Sequence, residues 1–542
     1  MLHDLTLTAP MLLVLLGAMF TLLVDPFLGE GGKRDPDGPA RHFWGHLGAV
    51  ISFAALAAAL ALWWTGPHEM QTVAFSTHLS ASNFSLFFVG LIAVCTALTL
   101  LASPRYLEAH GIAFGEYYAL VLFAAFGMMI MVSAESMLTL FVGLETMSLA
   151  VYVLAAFKRR SLASVEAGMK YFIMGAVASA LLLYGMAFVY GLAGGTSYVE
   201  IGRAMAGELA GPRVYLSLAI VMTLAAFLFK VAAVPFHMWT PDAYEGAPTP
   251  VTGFMASGVK VAAFGALLKF LYVAAAGAGM EKLPIELPTL LAWIAVITMT
   301  VGNLLALPQT NVKRVLAYSA VAHAGYLLLG CVAMSADPNL TGYGLPGGAV
   351  PFYLVGYALA SLAAFAALST VGRGGQELTR ESELAGLGWR YPFAGAVLAL
   401  AMFSLAGVPP TLGFFGKLSL IQGVLSVEEG RYLPFIIVMI LNSVVSAYYY
   451  LRVTVYVYMR PATDDQPEPL RSSGLTWAMA LAAGAIVAIG VLPGRTMSAA
   501  GRAGAGVRTA AVTAHIQHKL RPQEGTMAAS VERAAKLARA GK

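Results

Sequence analysis

The chain has 542 residues, of which 59% are hydrophobic and only 11% are Asp, Glu, Lys or Arg. Soluble domains carry roughly 25% of these charged residues, so the composition excludes a soluble enzyme. The apolar runs recur too often and are too long for a series of soluble domains, and they predict an all-α polytopic membrane protein. The formal net charge of +5 comes from loops and a basic tail, which does not suggest a nucleic-acid-binding domain.

Taken in chain order, the apolar runs predict fourteen membrane spans, because a bilayer core about 30 Å thick requires about 20 apolar residues of helix. The spans begin near Ala9, Trp44, Phe84, Tyr117, Ser136, Glu166, Tyr215, Ala247, Pro288, Lys313, Gly348, Tyr391, Tyr432 and Leu475. The first span has no basic start and no small-residue cleavage site, so we expect it to be retained. Cys95 and Cys331 lie in apolar stretches without metal-ligand spacing, so we expect no metal or redox centre in this chain.

Positive charge is distributed unevenly between the two sets of loops. One side carries 14 Lys and Arg residues, whereas the other carries four, namely Arg203, Arg213, Lys282 and Arg431. By the positive-inside rule, loop 158–160 faces the cytoplasm, and an even number of spans then puts both termini on the opposite side of the membrane. The tail conflicts with this rule, because it carries nine Lys or Arg and two Glu from residue 495 onward. Its segment 527–539 fits an interfacial helix, a partner contact or disorder.

Five titratable side chains lie deep inside predicted spans: Glu145, Lys230, Lys260, His323 and Lys417. Such groups cost several kcal/mol in a bilayer unless they are solvated or paired, so each predicts a functional site. Glu145 is nine residues after the start of its span, about 13 Å along a helix, and cannot reach the headgroups. The alternative is a fixed structural ion pair for the four charged residues and a hydrogen-bonded core position for His323.

Three further lysines have simpler interpretations. Lys170 lies four residues after Glu166, so the two side chains can form a surface pair. Lys269 and Lys282 lie near span ends, where lysine side chains usually extend to the headgroups.

A buried carboxylate and buried lysines together predict a proton switch. Burial favours the neutral form of a lysine, whereas a nearby carboxylate favours the charged form. If Glu145 approaches Lys230, the lysine retains its proton, and if it moves away, burial favours release to Lys260. Moving one proton against about 100 mV costs roughly 2.3 kcal/mol, which a change of about two pKa units supplies.

Prolines accompany two of these lysines and predict two broken helices. Pro235 follows Lys230, and the pair at positions 409 and 410 precedes Lys417. Proline removes a backbone donor and opposes the preceding turn, and the freed carbonyls can hold water. Because the two spans are five apart, the pattern predicts two inverted five-helix repeats, at residues 116–275 and 286–460. Residues 1–115 then form three N-terminal spans, 461–497 the last span and 498–542 a basic tail.

Three long segments resemble the antiporter-like subunits of proton-pumping NADH:quinone oxidoreductase (respiratory complex I). They are VGLETMSLAVYVLAAFKRRSLASVEAGMKYFIMGAVASALLLYGMAFVYG, FKVAAVPFHMWTPDAYEGAPTPVTGFMASGVKVAAFG and NVKRVLAYSAVAHAGYLLLG. The similarity extends from about the second span to the fourteenth. It implies fourteen helices, two inverted repeats and a central charged row that carries protons through water.

The resemblance also implies roles for individual residues and partners. Its motifs match at six positions, for which it implies proton transfer: Glu145, Lys170, Lys230, Lys260, His323 and Lys417. It implies that NADH, FMN, iron–sulfur clusters and quinone bind to partner subunits, and that the neighbours in the membrane are antiporter-like subunit M and small subunit K. Two alternatives stay open: a component of a multi-subunit cation/proton antiporter or membrane-bound hydrogenase, and a scaffold whose charges are fixed pairs.

Overall fold

A computed structural model describes residues 2–28, 40–65, 73–75, 78–205, 213–275, 286–336, 346–373, 376–427, 430–462, 468–470 and 472–520. Thirteen helices in these ranges are long and apolar enough to cross a membrane. Two shorter apolar helices, Pro392–Ala406 and Leu412–Leu425, occupy the place of the predicted twelfth span. The predicted polytopic all-α fold is confirmed. Lys282 and the tail segment 527–539 lie outside the described residues.

The helices are numbered here in chain order. They are α1 (Leu2–Leu7), α2 (Ala9–Leu28), α3 (Ala40–Thr65), α4 (Asn83–Ala109), α5 (Gly115–Ser133), α6 (Met137–Ala155), α7 (Leu162–Ala193), α8 (Tyr198–Met205), α9 (Arg213–Val231), α10 (Trp239–Gly246), α11 (Thr249–Phe254), α12 (Lys260–Ala275), α13 (Leu287–Ala306), α14 (Val312–Ala336), α15 (Pro346–Leu368), α16 (Leu387–Arg390), α17 (Pro392–Ala406), α18 (Leu412–Leu425), α19 (Leu433–Met459), α20 (Ser473–Val491) and α21 (Gly494–Leu520). A π-helical turn, Met255–Val259, joins α11 to α12, and a 3-10 turn, Glu381–Leu384, precedes α16.

Short antiparallel strands tie together loops at the two ends of the bundle. β1 (Val73–Ala74) pairs with β2 (Leu79–Ser80) before α4. In a second sheet, β3 (Val371–Arg373) lies between β4 (Gln376–Glu377) and β5 (Glu468–Pro469). This sheet joins the loop after α15 to the loop after α19.

Two helices break at membrane depth, as the prolines predict. Helix α9 ends at Val231, and the chain turns through Ala232 at φ 62°. Helix α17 ends at Ala406, and the chain turns through Gly407 at φ 87°, a backbone conformation that glycine adopts without steric cost. Each break leaves carbonyl groups inside the bundle that no longer accept helical hydrogen bonds.

Small residues bring the site-bearing helices close to their neighbours. At Gly127 of α5, a Cβ atom would lie 2.5 Å from the backbone nitrogen of Met147 in α6. At Gly302 of α13, it would lie 2.6 Å from the nitrogen of Ala322 in α14. Close contact between backbones is how membrane helices gain packing energy without a hydrophobic driving force. Helices α12, α14 and α15 lie almost wholly inside the bundle, so residues on them are shielded from lipid.

Candidate functional site: a buried lysine row

Lys230 lies in the last turn of α9 and contacts hydroxyl groups of α6. Its Nζ donates to Ser148 Oγ at 2.7 Å and to Tyr152 Oη at 3.1 Å. Its side chain is buried, and in the described part of the chain no carboxylate lies within 4.0 Å of Nζ. Neutral hydroxyls therefore satisfy this ammonium group.

Glu145 is on the same helix as Ser148, one turn earlier. Its Oε1 accepts a hydrogen bond from Ser179 Oγ of α7. The side chain is half-buried at an edge of the bundle, beside the exposed residues Val142 and Leu149. Among the described residues Glu145 and Lys230 form no ion pair within 4.0 Å: Lys230 binds Ser148, whose hydroxyl donates to the carbonyl of Leu144, and Glu145 is bonded to Ser179.

Lys260 begins α12 directly after the π-helical turn. Its Nζ donates to the carbonyl oxygen of Ala320 in α14 and lies 5.5 Å from the ring centroid of Tyr357. The side chain is fully enclosed. Single π-helical turns often occur at functional sites because they redirect one side chain within a helix.

His323 lies in α14 among tyrosine side chains. Its Nδ1 lies 2.5 Å from Tyr353 Oη, and its Nε2 lies 2.9 Å from Tyr450 Oη. Tyr450 Oη also contacts Ser319 Oγ. Both ring nitrogens of a buried histidine are thus bonded to neutral groups that can donate or accept a proton.

Lys417 lies in α18, ten residues after the break at Gly407. Its Nζ donates to the carbonyl oxygen of Ala406 and to Ser443 Oγ, both at 2.7 Å, and lies 5.4 Å from the ring centroid of Tyr326. Ala406 ends α17, so its carbonyl is free to accept this bond. The broken helix thus supplies a ligand for its own lysine.

The three lysines share one electrostatic property. Within the described ranges, none of Lys230, Lys260 and Lys417 has a carboxylate within 4.0 Å, and their partners are hydroxyls, carbonyls and aromatic rings. A lysine with neutral partners can lose its proton without leaving a buried carboxylate uncompensated. This arrangement is suited to passing protons.

Lys170 lies outside this row. Its Nζ lies 2.7 Å from Glu166 Oε1 and 2.7 Å from Asp242 Oδ2, and its side chain is 45% exposed. Asp242 and Glu245 are in turn paired with Arg314. The surface pair that the (i, i+4) spacing predicts is present, and it extends into a network that joins α7, α10 and α14.

Lys269 differs from its sequence prediction. It is buried in α12, where its Nζ lies 2.7 Å from Glu135 Oε1 and donates to the carbonyl of Ala134, also at 2.7 Å. Both charged side chains of the pair are buried. The side chain does not extend outward as predicted, because Glu135, at the junction of α5 and α6, provides a buried partner.

Glu377 in β4 forms a second buried cluster at the end of the bundle that carries loop 158–160. Its Oε1 accepts from Lys158 and Tyr106, and its Oε2 lies 3.0 Å from Lys313 Nζ. The cluster borders a cavity of about 980 Å³ that Arg159 also lines. Burial raises the pKa of Glu377 to about 8 and lowers that of Lys158 to about 8. This cluster therefore changes protonation near neutral pH.

Sequence reasoning did not identify the hydroxyl partners of the row. Tyr152, Tyr353, Tyr357 and Tyr450 lie in spans that already score as apolar, so their hydroxyls give no hydropathy signal. One sequence pattern could have indicated these hydroxyl partners: Tyr353 and Tyr357 are four residues apart and so share a helix face. Among the described residues, no three His, Cys, Asp or Glu side chains converge as metal ligands would.

The fold and the row define a class: a polytopic α-helical membrane protein in which two broken helices contribute to a buried line of lysines. A family model described as "NADH:quinone oxidoreductase/Mrp antiporter, TM" matches residues 134–446. Subunit N 1 of NADH-quinone oxidoreductase from Sorangium cellulosum is 40% identical over 507 residues, covering 91% of this chain and 97% of that protein. Subunit N from Myxococcus xanthus is 38% identical, covering 90% and 95%.

The chain therefore belongs to the subunit N family of NADH-quinone oxidoreductase. The family predicted from the sequence segments is confirmed, and the stretches GLETMSL and MWTPDAYEGAPTPVTGFMA already favour subunit N among the antiporter-like subunits.

Solved structures share the fold. A chain of respiratory complex I from Thermus thermophilus with bound aureothin matches with a TM-score of 0.72 and 31% identity, covering 90% of this chain and 98% of that one. A chain of the Mrp complex from Dietzia sp. matches with a TM-score of 0.77 at 20% identity, covering 95% and 99%, which shows likeness of fold alone.

Proposed function

We propose that this chain is a proton-translocating membrane-arm subunit of NADH:quinone oxidoreductase, driven by quinone reduction in other subunits. The observation that carries the proposal is the buried row of Lys230, Lys260 and Lys417, whose partners in the described structure are neutral. Family membership supplies the complex in which the row would act.

The residues follow one another in a physical order. Glu145 lies one turn before Ser148, which binds Lys230; Lys260 contacts α14 one turn before His323, and Lys417 lies against Tyr326, about one turn after it. A proton that passes along this order crosses from the first predicted repeat to the second. Lys170, the sixth residue that the resemblance implied, would act only as an outer group that exchanges protons with the surface network of Asp242.

We also propose that residues 116–275 and 286–460 are two inverted repeats, each a half of the pathway. Equivalent hydrogen bonds support this division. Met137 N donates to Thr196 O where Val312 N donates to Thr379 O, and Ala233 N donates to Leu228 O where Val408 N donates to Phe403 O. The first two bonds join the start of the second helix to the loop after the third, and the other two close the helix breaks.

The remaining assignments are part of the same proposal. The chain would lie in the bacterial inner membrane with both termini in the periplasm, as loop charges favour. NADH, FMN, iron–sulfur clusters and quinone would bind to partner subunits, and subunits M and K would be its neighbours. The exposed apolar face of α6 and α7 around Glu145, which includes Val142 and Ile173, would contact one of these neighbours or lipid.

A second candidate is a component of a cation/proton antiporter or of a related respiratory membrane complex. The fold likeness to the Mrp chain supports it, as does a chain of an archaeal membrane-bound sulfane sulfur reductase with a TM-score of 0.80 at 22% identity, covering 94% of this chain and 99% of that one. In such a complex the same row would exchange protons for another cation, and quinone would not be required.

The test uses membrane vesicles that contain the assembled complex. NADH-driven proton pumping and quinone reduction are measured for the unaltered complex and for Lys230→Ala and Glu145→Ala. We expect both activities to fall together, because quinone reduction is coupled to proton transfer along the row. Full pumping by assembled variants would make both residues structural and leave the scaffold interpretation.

A further inference from the structure

The strongest unassigned feature is a chain of hydroxyl groups on both sides of His323. Tyr353 Oη lies 2.5 Å from Nδ1 and Tyr450 Oη lies 2.9 Å from Nε2. Tyr450 Oη also contacts Ser319 Oγ, one turn before the histidine in α14. All four side chains are buried, so these bonds form without competition from bulk water.

This chain lies between the last two lysines of the row, Lys260 and Lys417. Lys260 Nζ is bound to the carbonyl of Ala320, the residue after Ser319. At the other end, Tyr353 packs against Gly416, the residue before Lys417: a Cβ on that glycine would lie 3.1 Å from the tyrosine ring. The hydroxyl chain therefore leads from the helical turn that binds Lys260 to the helical turn that carries Lys417.

The chemistry of these groups fits proton transfer. A phenol hydroxyl and a neutral imidazole each donate one proton and accept another. When a proton reaches Tyr450 Oη, the hydroxyl proton already there moves to Nε2. The proton on Nδ1 then moves to Tyr353 Oη, whose own proton leaves toward Lys417. Every oxygen ends with the protons it began with, and the histidine ends in its other tautomer.

We propose that Tyr450 and Tyr353 are proton-relay residues that connect Lys260 to Lys417 through His323. The inference rests on the proposed function, which supplies the protons. It adds that the link between the two halves is made by specific side-chain hydroxyls, not only by water.

The chain offers matched controls for this proposal. Tyr117 of α5 is as buried as Tyr450, and its hydroxyl forms a hydrogen bond with Ser103 Oγ of α4 at 2.9 Å. Ser103 therefore matches Ser319 as Tyr117 matches Tyr450, on two helices that carry none of the row residues. Replacing tyrosine with phenylalanine at each of these positions removes only the hydroxyl oxygen, so the variants differ in where in the structure that hydroxyl is lost.

The experiment measures NADH-driven proton pumping per assembled complex in vesicles for Tyr450→Phe, Tyr353→Phe and Ser319→Ala, with Tyr117→Phe and Ser103→Ala as controls. Positioned proton-transfer groups contribute about 10²–10⁴-fold to rates, so we expect the two tyrosine relay variants to lose at least about tenfold. We expect the controls to keep more than about half of the pumping rate, because they lose only a structural hydrogen bond.

Equal pumping by relay variants and controls would overturn the relay. Ser319→Ala keeps the inference testable if a tyrosine variant does not assemble, because it removes the group that feeds Tyr450 and should slow pumping while both controls do not. Lys260→Met in the same vesicles separates the two proposals. If Lys260→Met stops pumping but Tyr450→Phe and Tyr353→Phe do not, the relay is wrong and the proposed function stands; full pumping by Lys260→Met contradicts the proposed function itself.

Discussion

Two lysines on helix α12 have opposite surroundings. Lys260 is bound to a carbonyl of α14 and lies against a tyrosine ring, with no carboxylate within 4.0 Å among the described residues. Lys269 is nine residues later and is paired with Glu135 at 2.7 Å. Nine residues correspond to two and a half turns, so the two side chains leave the helix on opposite faces.

The same contrast holds across the molecule. Lysines of the central row have neutral partners, whereas Lys170 and Lys269 are bound to carboxylates. A buried ion pair resists deprotonation because each charge stabilises the other. Depth in the membrane alone therefore does not make a lysine a proton carrier, and the identity of its partners must be included.

The largest effect on stability is expected where a buried pair is broken. Lys269→Met leaves the Glu135 carboxylate buried without its partner, which costs about 3–5 kcal/mol in known cases. We expect less assembled complex and faster thermal inactivation, with unchanged pumping per complex. The double variant Lys269→Met with Glu135→Gln should recover much of the loss. Lower pumping per assembled complex would place Lys269 in the proton pathway and break the contrast with Lys260.

A smaller effect is expected at Lys170. It is 45% exposed and has two carboxylate partners, and exposed ion pairs contribute about 0–1 kcal/mol each. We expect Lys170→Ala to assemble normally and to keep most of its pumping, measured beside Lys230→Ala in the same vesicles. Equal losses in the two variants would show that the surface network takes part in proton transfer, as the family resemblance implied.

A third effect concerns pH and the Glu377 cluster. Burial raises the pKa of Glu377 to about 8 from an ordinary value of 4.5, so the folded state binds the extra proton more tightly than the unfolded chain does. Its contribution to stability is therefore largest below pH 4.5 and is lost as the pH rises to about 8. Lys158, whose pKa is lowered to about 8, gives an opposite slope only above pH 8.

The corresponding measurement is the thermal inactivation temperature of the assembled complex between pH 6 and about pH 8. Glu377→Gln keeps a neutral hydrogen-bonding group of the same shape, so we expect a flatter decline with rising pH than in the unaltered complex. Two identical pH profiles would mean that Glu377 does not bind a proton in this range.

The sequence predicts the spans, the two helix breaks and the row residues, because each has a local signal in hydropathy, proline or charge. It does not predict partners, which depend on the helix face and on residues far along the chain. Lys269 is an example, since Glu135 is 134 positions away. The hydroxyls around His323 are another example. In the sequence Tyr450 is only one residue of an apolar span, and its contact with His323 depends on how α19 packs against α14. The family motif identifies Lys170 as a candidate residue but does not indicate that its side chain is exposed.

The measurement that tests the central claim most directly is proton pumping and quinone reduction by Lys260→Arg in assembled complex, with Lys269→Arg as the matched control. Arginine keeps the positive charge but does not release its proton at physiological pH. If the row works by proton release, Lys260→Arg loses pumping and slows quinone reduction, while Lys269→Arg keeps its ion pair and both activities. Pumping by Lys260→Arg at the unaltered rate would show that Lys260 is a fixed charge, which contradicts the account.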